Sequence, residues 1–286
     1  MGMPRGVTLR RLVFALAALI VLIYGGAMVW LVTQETRLVF RAAKELGARR
    51  PSMPFEQVDQ VPPEGGAPYA RAWVMPATGA TERAPWVIFL HGNDGNIASR
   101  MNILHYERLR QLGVNVLAPE YRGFGGVAGV PTEAGLAEDA ARAYDYLRNV
   151  RRVESGRIVL YGWSLGSAVA VTLAARVDEA AVVLEGAPAS IVAIGQQRYP
   201  FFPVRLLIRN PFDSILRISQ IGSPVLFLHS PEDIVIPFAE GKRLFEAAPQ
   251  PKQLVEVSGG HVYASERDPR FFPAIRGFLT DLRLMP

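Results

Sequence analysis

One serine between two glycines, at the junction of a strand pattern and a helix pattern, constrains this chain more than any other feature. Residues 162–166 read Gly-Trp-Ser-Leu-Gly. The apolar, β-branched run 157–161 precedes them, and a run rich in Ala and Leu follows to residue 176. So sharp a turn strains the serine backbone, and the glycines leave room for the helix to pass close to the strand. We therefore expect the Ser164 hydroxyl to project at the carboxyl end of a sheet.

Strand and helix patterns alternate along most of the 286 residues. Strands are predicted near 70–75, 86–90, 114–118, 157–161, 181–185, 224–229 and 253–257, and helices near 98–112, 132–149, 165–177, 238–248 and 270–283. Such alternation predicts an α/β fold with a mostly parallel sheet and helices on both faces. Ligands bind these sheets outside the carboxyl ends of the strands.

A serine hydroxyl needs a base within hydrogen-bond reach and a third group that orients the base. After an elbow of this kind the partners follow in the order acid, then histidine. Only His229 and His261 follow Ser164. His229 ends the apolar run 224–228, which favours a place at the end of a core strand. His261 follows two glycines in a predicted mobile, exposed loop, so we expect His261 to be the base.

The acid should lie between the serine and the histidine, near the end of a strand. Glu232 and Asp233 come just after the predicted strand 224–229. Adjacent side chains point in different directions, so only one of the two serves; we favour Asp233 and expect Glu232 to be solvated. The other carboxylates of this interval fall on predicted helices, on a turn or before a long excursion.

Two backbone N–H groups should stabilise the oxyanion. The first is that of Leu165, at the helix N-terminus directly after the nucleophile. The second should come from the loop 91–96, His-Gly-Asn-Asp-Gly-Asn, which follows the strand pattern 86–90. Asn93 is the expected donor, although Gly and Asn also favour an ordinary turn.

Together these residues resemble the α/β-hydrolase superfamily, and within it the membrane-anchored, small-cap branch that includes the abhydrolase-domain serine hydrolases. The similarity covers roughly residues 69–283 and is carried by the stretches 91–96, 121–125, 162–166, 199–205, 233–237 and 259–261. It implies an α/β-hydrolase fold with Ser164, Asp233 and His261 as the triad. It also implies neither a metal nor an organic cofactor.

An uncharged apolar segment, Leu12 to Gln34, precedes this region. As a helix it would be about 35 Å long, enough to cross a hydrocarbon core of about 30 Å. A cleaved signal peptide is the main alternative, with Gly25-Gly26-Ala27 as a cleavage site, and a buried core helix is another. Because the apolar run continues through residues 28–32, we predict an uncleaved single-pass membrane anchor.

The basic charge belongs to the flanks of this segment. Residues 1–50 hold eight Lys or Arg and two acids, a net of +6, whereas the whole chain carries +5. The remainder is therefore close to neutral, and no nucleic-acid groove is expected; the flanks suit anionic lipid or simply fix topology. The charges on the two flanks give conflicting indications of orientation. More Lys and Arg residues follow the segment than precede it, which points the globular part to the cytoplasm, whereas Arg10-Arg11 resembles the start of a signal anchor and points it outward. We favour the outer side for the globular part.

Three segments are expected: residues 1–36 as tail and transmembrane anchor, 37–68 as a proline-rich juxtamembrane linker, and 69–286 as the catalytic domain. The excursion 187–222 is predicted to form a small cap, in which apolar and arginine residues alternate. It could accept an acyl chain, dip into the membrane surface or pack on the body. The chain has no cysteine, so no disulfide framework exists.

The predicted activity is that of a serine hydrolase that cleaves ester or thioester bonds through an acyl-enzyme. The expected substrate is a small-molecule or lipid-like acyl compound, and the residues do not predict an oligomeric state. A serine peptidase or amidase is the alternative within the same chemistry. A non-catalytic, membrane-tethered scaffold is the alternative from another class, which an intact triad in the right order disfavours.

Overall fold

The structure is a computed structural model that describes residues 5–63, 65–79 and 84–285. Residues 1–4 of the predicted tail, and residues 64, 80–83 and 286 of the later segments, lie outside these ranges. The strands are β1 (Arg41–Ala42), β2 (Glu56–Gln60), β3 (Ala70–Met75), β4 (Trp86–Leu90), β5 (Asp94–Gly95), β6 (Asn115–Glu120), β7 (Ile158–Trp163), β8 (Ala181–Glu185), β9 (Val225–His229) and β10 (Lys252–Glu256).

The helices alternate with the strands, as the sequence patterns predict. They are α1 (Arg5–Val39), α2 (Arg100–Leu112), α3 (Glu133–Asp145), α4 (Leu165–Ala174), α5 (Ile191–Arg198), α6 (Val204–Leu207), α7 (Phe238–Ala247), α8 (Gly260–Arg267) and α9 (Phe271–Asp281). A single π turn, Tyr146–Val150, continues α3, and short 3₁₀ turns precede β7 and β9.

Within the described residues, eight strands form one sheet in the order β10-β9-β8-β7-β4-β6-β3-β2. The pairs from β10 to β6 are parallel, whereas β3 runs antiparallel to both β6 and β2. Parallel strands need covering on both faces. One face packs on α3, α4 and α7, and the other on α2, α8 and α9. The predicted α/β-hydrolase fold is confirmed.

The segment 37–68, predicted as a linker, contributes to the body. Strand β1 pairs with β5 in the loop after β4, and β2 forms an edge of the large sheet. Val58 is the one apolar residue within β2 and is half-buried, so the strand lacks a clear alternation of apolar and polar residues. The sequence therefore gave little signal of a strand at this position.

Helix α1 extends further than the predicted anchor. Leu9–Val39 is long and apolar enough to cross a membrane, and it is a candidate membrane span or signal sequence; its most apolar window has a mean hydropathy of 2.6 and is not buried. The last turns behave differently, because Glu35 is buried and Phe40 joins the core directly after the helix. The helix thus ends inside the globular body.

Candidate active site

Ser164 lies between β7 and α4 in the strained conformation that the motif predicts, with φ 55° and ψ −119°. A Cβ atom at Gly162 would lie 2.4 Å from the backbone oxygen of Gly166. A Cβ atom at Gly166 would lie 1.9 Å from the backbone oxygen of Leu90. Only glycine fits at both positions, because any side chain would push the turn away from the sheet.

The three side chains that chain order selects form one hydrogen-bonded chain. Nε2 of His261 lies 2.8 Å from Oγ of Ser164. Nδ1 of the same ring lies 2.6 Å from Oδ2 of Asp233. The residues come from the ends of β7 and β9 and from the segment after β10, three places that meet at the carboxyl edge of the sheet. A hydroxyl that can donate to an imidazole held by a carboxylate is an arrangement that activates serine.

Hydrogen bonds to both carboxylate oxygens fix Asp233. Oδ1 accepts from the backbone N–H groups of Val235 and Ile236, each at 2.8 Å. Oδ2 lies between His261 and a second imidazole, that of His229, 3.4 Å away. Burial raises the pKa of Asp233, but the hydrogen bonds from the two histidines and the charge of His261 hold it well below its usual range. The carboxyl group is therefore ionised near neutral pH.

His261 does not lie in the mobile, exposed loop that the glycines suggested. It occupies the first turn of α8, and its side chain is 9% exposed. Gly259 and Gly260 have φ values of 106° and 67°, a left-handed turn that leads directly into the helix. The N–H of Gly260 donates to Oγ of Ser230 at 3.1 Å, which ties this turn to the end of β9. The imidazole ring of His261 is therefore held by an ordered helical turn and not by a mobile loop.

Asn93 and Leu165, the expected oxyanion residues, line one cavity together with Ser164. The loop is close to the serine, because a Cβ atom at Gly92 would lie 3.4 Å from Cβ of Ser164. The backbone oxygen of Asn93 accepts from the N–H of Arg41, and its side-chain amide donates to the backbone oxygen of Val39, both at 2.9 Å. The end of α1 and strand β1 therefore hold this loop.

Two buried His–Glu pairs behind the site were missed by the sequence argument. Glu120 accepts from Nε2 of His91 at 2.9 Å, and its other oxygen accepts from the N–H of Ile97 at 3.0 Å, so it ties both ends of the loop that holds Asn93. Glu185 lies 2.9 Å from Nε2 of His105. A glutamate at the end of a mostly apolar strand was the available signal in both cases.

The second pair supports the wall behind His261. Burial lowers the pKa of His105, but the charge and hydrogen bond of Glu185 outweigh burial and leave it raised. The ring of His105 stacks on Trp163 at 5.2 Å, and Trp163 in turn lies 6.5 Å from the ring of His261.

A cavity of about 460 Å³ opens at Ser164. Its size falls in the usual range for small-molecule pockets, about 300–1,000 Å³. Its lining is mostly apolar and comes from α1, from α5 and α6 of the predicted cap, and from the segment after Asp233; the members are Leu31, Glu35, Leu38, Val39, Ile191, Ile194, Tyr199, Val204, Leu207, Ile208, Val235 and Ile236, among others. In the described part of the chain, no group of three or more His, Cys, Asp or Glu side chains is placed to hold a metal ion.

The fold and the hydrogen-bonded serine define the class of protein, and comparison with known families agrees. The model of the alpha/beta hydrolase family matches residues 87–281. This chain belongs to the α/β-hydrolase family.

One relative extends the similarity beyond the residues that the family model matches. The Mycobacterium tuberculosis protein Rv2307c is 34% identical over 271 residues, which cover 94% of this chain and 95% of that protein. The human alpha/beta hydrolase domain-containing protein 17B is 32% identical over 180 residues, which cover 61% of this chain and 59% of that protein.

Solved structures share the fold at low identity. The Pyrococcus furiosus esterase Pf2001 superposes with a TM-score of 0.67 at 18% identity, over 85% of this chain and 97% of the esterase. Est1E from Butyrivibrio proteoclasticus does so with a TM-score of 0.65 at 19% identity, over 82% of this chain and all of Est1E.

Proposed function

We propose that this protein is a membrane-anchored serine hydrolase that cleaves carboxylic esters or thioesters through an acyl-enzyme. The observation that carries the proposal is the hydrogen-bonded chain from Ser164 through His261 to Asp233, at the floor of a largely apolar cavity.

In the first half-reaction Oγ of Ser164 attacks the carbonyl carbon of the substrate while Nε2 of His261 takes the hydroxyl proton. The tetrahedral intermediate collapses, the bond to the leaving alcohol or thiol breaks, and the imidazolium protonates that leaving group. In the second half-reaction His261 takes a proton from water, and the resulting hydroxide equivalent attacks the acyl-serine. The acid product leaves and Oγ recovers its proton. Asp233 orients the imidazole and stabilises its positive form throughout.

The oxyanion that forms in both steps faces the backbone N–H groups of Leu165 and Asn93. Leu165 begins α4, so the partial positive charge of the helix N-terminus adds to its hydrogen bond. Removal of one such donor costs about 10²–10³ in kcat in serine hydrolases.

The composition of the cavity favours acyl substrates. Most of the lining is apolar, and Glu35, Arg37, Arg41 and Arg198 are the charged side chains among it, so it offers few groups to bind the repeated amides of a peptide. Two esterases, Pf2001 and Est1E, have the same fold, which supports ester chemistry.

Membrane anchoring is proposed because Tyr24, which precedes the candidate signal-cleavage site at residues 25–27, contacts the cap. The Tyr24 hydroxyl donates to the backbone oxygen of Phe201 at 2.7 Å, and its ring stacks on that of Phe202 at 5.2 Å. Cleavage after residue 27 would remove this contact with the cap. N-terminal sequencing of the mature protein and carbonate extraction of membranes test the anchor, and protease access in spheroplasts tests the outward orientation predicted for the globular part.

Labelling with a fluorophosphonate probe tests the catalytic role of the serine. The full-length protein in detergent should take up one probe molecule on the peptide that contains Ser164, and Ser164→Ala should abolish both labelling and hydrolysis of short aryl esters. Ser167→Ala is the matched control, because that hydroxyl donates to backbone oxygens of Gly162 and Glu185 and should not be labelled. Labelling that persists in Ser164→Ala would contradict the proposal.

A further inference from the structure

The position of α1 bears on the substrate of this site. The helix is continuous from its exposed apolar part to its last turn, and the last turns line the cavity above Ser164 with Leu31, Glu35 and Leu38. One element therefore serves both as the candidate membrane span and as a wall of the substrate cavity.

A buried clamp fixes this wall to the cap. The carboxylate of Glu35 accepts from the backbone N–H groups of Arg209 and Asn210 at 3.1 and 2.9 Å and from the side-chain amide of Asn210 at 2.9 Å. The side-chain oxygen of Asn210 accepts in turn from the N–H of Glu133 at the start of α3 at 2.7 Å. A buried carboxylate with this many donors holds one geometry, so the orientation of the span relative to the cavity is set.

The depth of the cavity relative to a bilayer follows from the helix rise. A hydrocarbon core of about 30 Å takes up about 20 helical residues. If the core begins at Leu12, the first residue after the arginine pair, it ends near Leu31. The cavity wall thus begins where the hydrocarbon ends.

The outer part of the cap lies at the depth of the hydrocarbon core. Phe201 and Phe202 contact Tyr24, which lies about 10 Å along the helix axis from Leu31 towards the bilayer centre. Phe201 and Leu206 are each 83% exposed, and neither lines the cavity. Large apolar side chains in such a position suit a lipid environment. Arg205, beside Leu206, has a side chain that is 72% exposed and suits the headgroup layer.

We propose that the substrate is a long-chain acyl ester that resides in the bilayer, and that its acyl chain enters the cavity from the leaflet, between α1 and the cap. The proposal rests on the serine hydrolase function above. It is argued from the geometry, because α1 and the cap together line a mostly apolar cavity, with Leu31 on one side and Leu207 on the other, so the gap between them joins the leaflet to that cavity.

Two substrates separate the entry route from the chemistry. The full-length protein is reconstituted in phosphatidylcholine vesicles and assayed with 4-nitrophenyl acetate, which reaches the site from water, and with 4-methylumbelliferyl oleate embedded in the bilayer. The double variant Phe201→Asp/Leu206→Asp places two charges at the outer tip of the cap, outside the cavity. We expect its rate on the embedded oleate to fall at least tenfold and its rate on the acetate to stay within twofold of wild type.

The matched control is Leu216→Asp. Leu216 is an apolar cap residue that is 64% exposed, but its 3₁₀ turn packs near α4 and α7 rather than beside α1. It should leave both rates unchanged. Carbonate extraction checks that all variants remain integral to the vesicles.

Four outcomes would overturn the proposal. Equal rates on the oleate for wild type and the double variant would mean that the substrate does not enter from the leaflet. A parallel loss of rate on both esters would mean that the substitutions at the tip of the cap disturb the fold and not the entry route. Hydrolysis of the acetate with none of the oleate would reject the long-chain substrate and leave the hydrolase intact. Hydrolysis of neither ester, with no probe labelling of Ser164, would remove the proposed function itself.

Discussion

Nε2 of His229 lies 3.4 Å from Oδ2 of Asp233 and 3.0 Å from the backbone oxygen of Ile236. Both neighbours are acceptors, so the ring proton of His229 is on Nε2, where it donates to the backbone oxygen of Ile236 with the carboxylate of Asp233 close by. The ring has no room to turn, because a Cβ atom at Gly241 would lie 2.0 Å from its Nδ1. His229 is a positioning residue for Asp233, and Oδ2 is shared between two imidazoles with different tasks.

This arrangement predicts a large effect of Asp233→Asn. The amide oxygen would keep the two hydrogen bonds from Val235 and Ile236, so the NH₂ group would face both rings. Nδ1 of His261 would then have to accept, which places the ring proton on Nε2, towards Ser164, where it cannot take the hydroxyl proton. We expect kcat to fall about 10⁴-fold, the cost known for this change in a Ser-His-Asp triad, with the thermal unfolding temperature little changed.

Glu232→Gln is the control for that variant, because it removes the neighbouring carboxylate. Glu232 is exposed, and its carboxylate accepts a hydrogen bond from the N–H of Gly259 at 3.3 Å. Its kcat on a short aryl ester should stay within a few fold of wild type. A loss as large as that of Asp233→Asn would mean that the acid of the triad is misassigned.

Glu120→Gln should impair catalysis through the loop after β4. One oxygen of Glu120 accepts from His91 and the other from the N–H of Ile97, and an amide has only one acceptor oxygen for both ends. We expect a loss of about 1–3 kcal/mol in the free energy of unfolding from the donor left unpaired. We also expect kcat to fall about 10²-fold, because a displacement of about 1 Å in a catalytic group has that effect.

The readouts for Glu120→Gln are kcat and KM on a short aryl ester together with thermal unfolding in detergent. A purely structural role would lower the unfolding temperature but leave kcat per folded molecule intact, and that result would contradict the prediction. Glu138→Gln is the control, since its exposed carboxylate pairs with Arg122 on the surface.

Local patterns and chain order made the elbow and the order of the triad predictable from sequence. Ser164 follows from a strand–turn–helix signal within twenty residues, and His261 from elimination among four histidines. The setting of His261 was not predictable in the same way, because Gly259-Gly260 signals a loop whether or not a helix follows. Chain order predicts which residues form the triad, whereas the environment of each residue depends on how the chain packs around it.

Contacts between distant residues account for what the sequence did not reveal. Glu35 binds Asn210 across 175 positions, and no local pattern marks either residue as a partner. In the sequence Glu35 marks only the end of an uncharged run. The role of α1 as a wall of the cavity follows from this contact, and it can be recognised only when the positions of both Glu35 and Asn210 are known.

Substitution of the two glycines at the elbow should abolish folding or activity, whereas a surface glycine should tolerate alanine. The clashes of 2.4 and 1.9 Å at Gly162 and Gly166 are with backbone, which cannot move aside cheaply. We expect each alanine variant to lose about 3 kcal/mol or more in the free energy of unfolding, at or above the upper range for overpacking. Gly277→Ala in α9 meets nothing within 4 Å, and should gain about 0.5–1 kcal/mol. Urea unfolding in detergent compares the three, and equal stability would refute the steric argument.

Glu179 gives a stability prediction with a definite sign in pH. One oxygen accepts from Oγ of Ser223 at 2.6 Å, whereas the other is buried with no hydrogen-bond partner in the described part of the chain. Burial is the main cause that raises the pKa of Glu179 from 4.5 to about 7. Because the folded state holds the proton more tightly than the unfolded state, wild type loses stability as the pH rises from 4.5, and the loss is complete above 7.

Glu179→Gln should remove this loss while it keeps the hydrogen bond from Ser223. At pH 8 the variant should be more stable than wild type by about 1–2 kcal/mol, after allowance for the partial exposure of the residue. At pH 4.5, where the folded carboxyl group is already neutral, the two should nearly coincide. Asp178→Asn, a change at the exposed neighbouring carboxylate, should have a much smaller effect at pH 8. Urea unfolding of the detergent-solubilised protein at the two pH values measures the difference, and a gain of equal size at both would show that ionisation of Glu179 is not its cause.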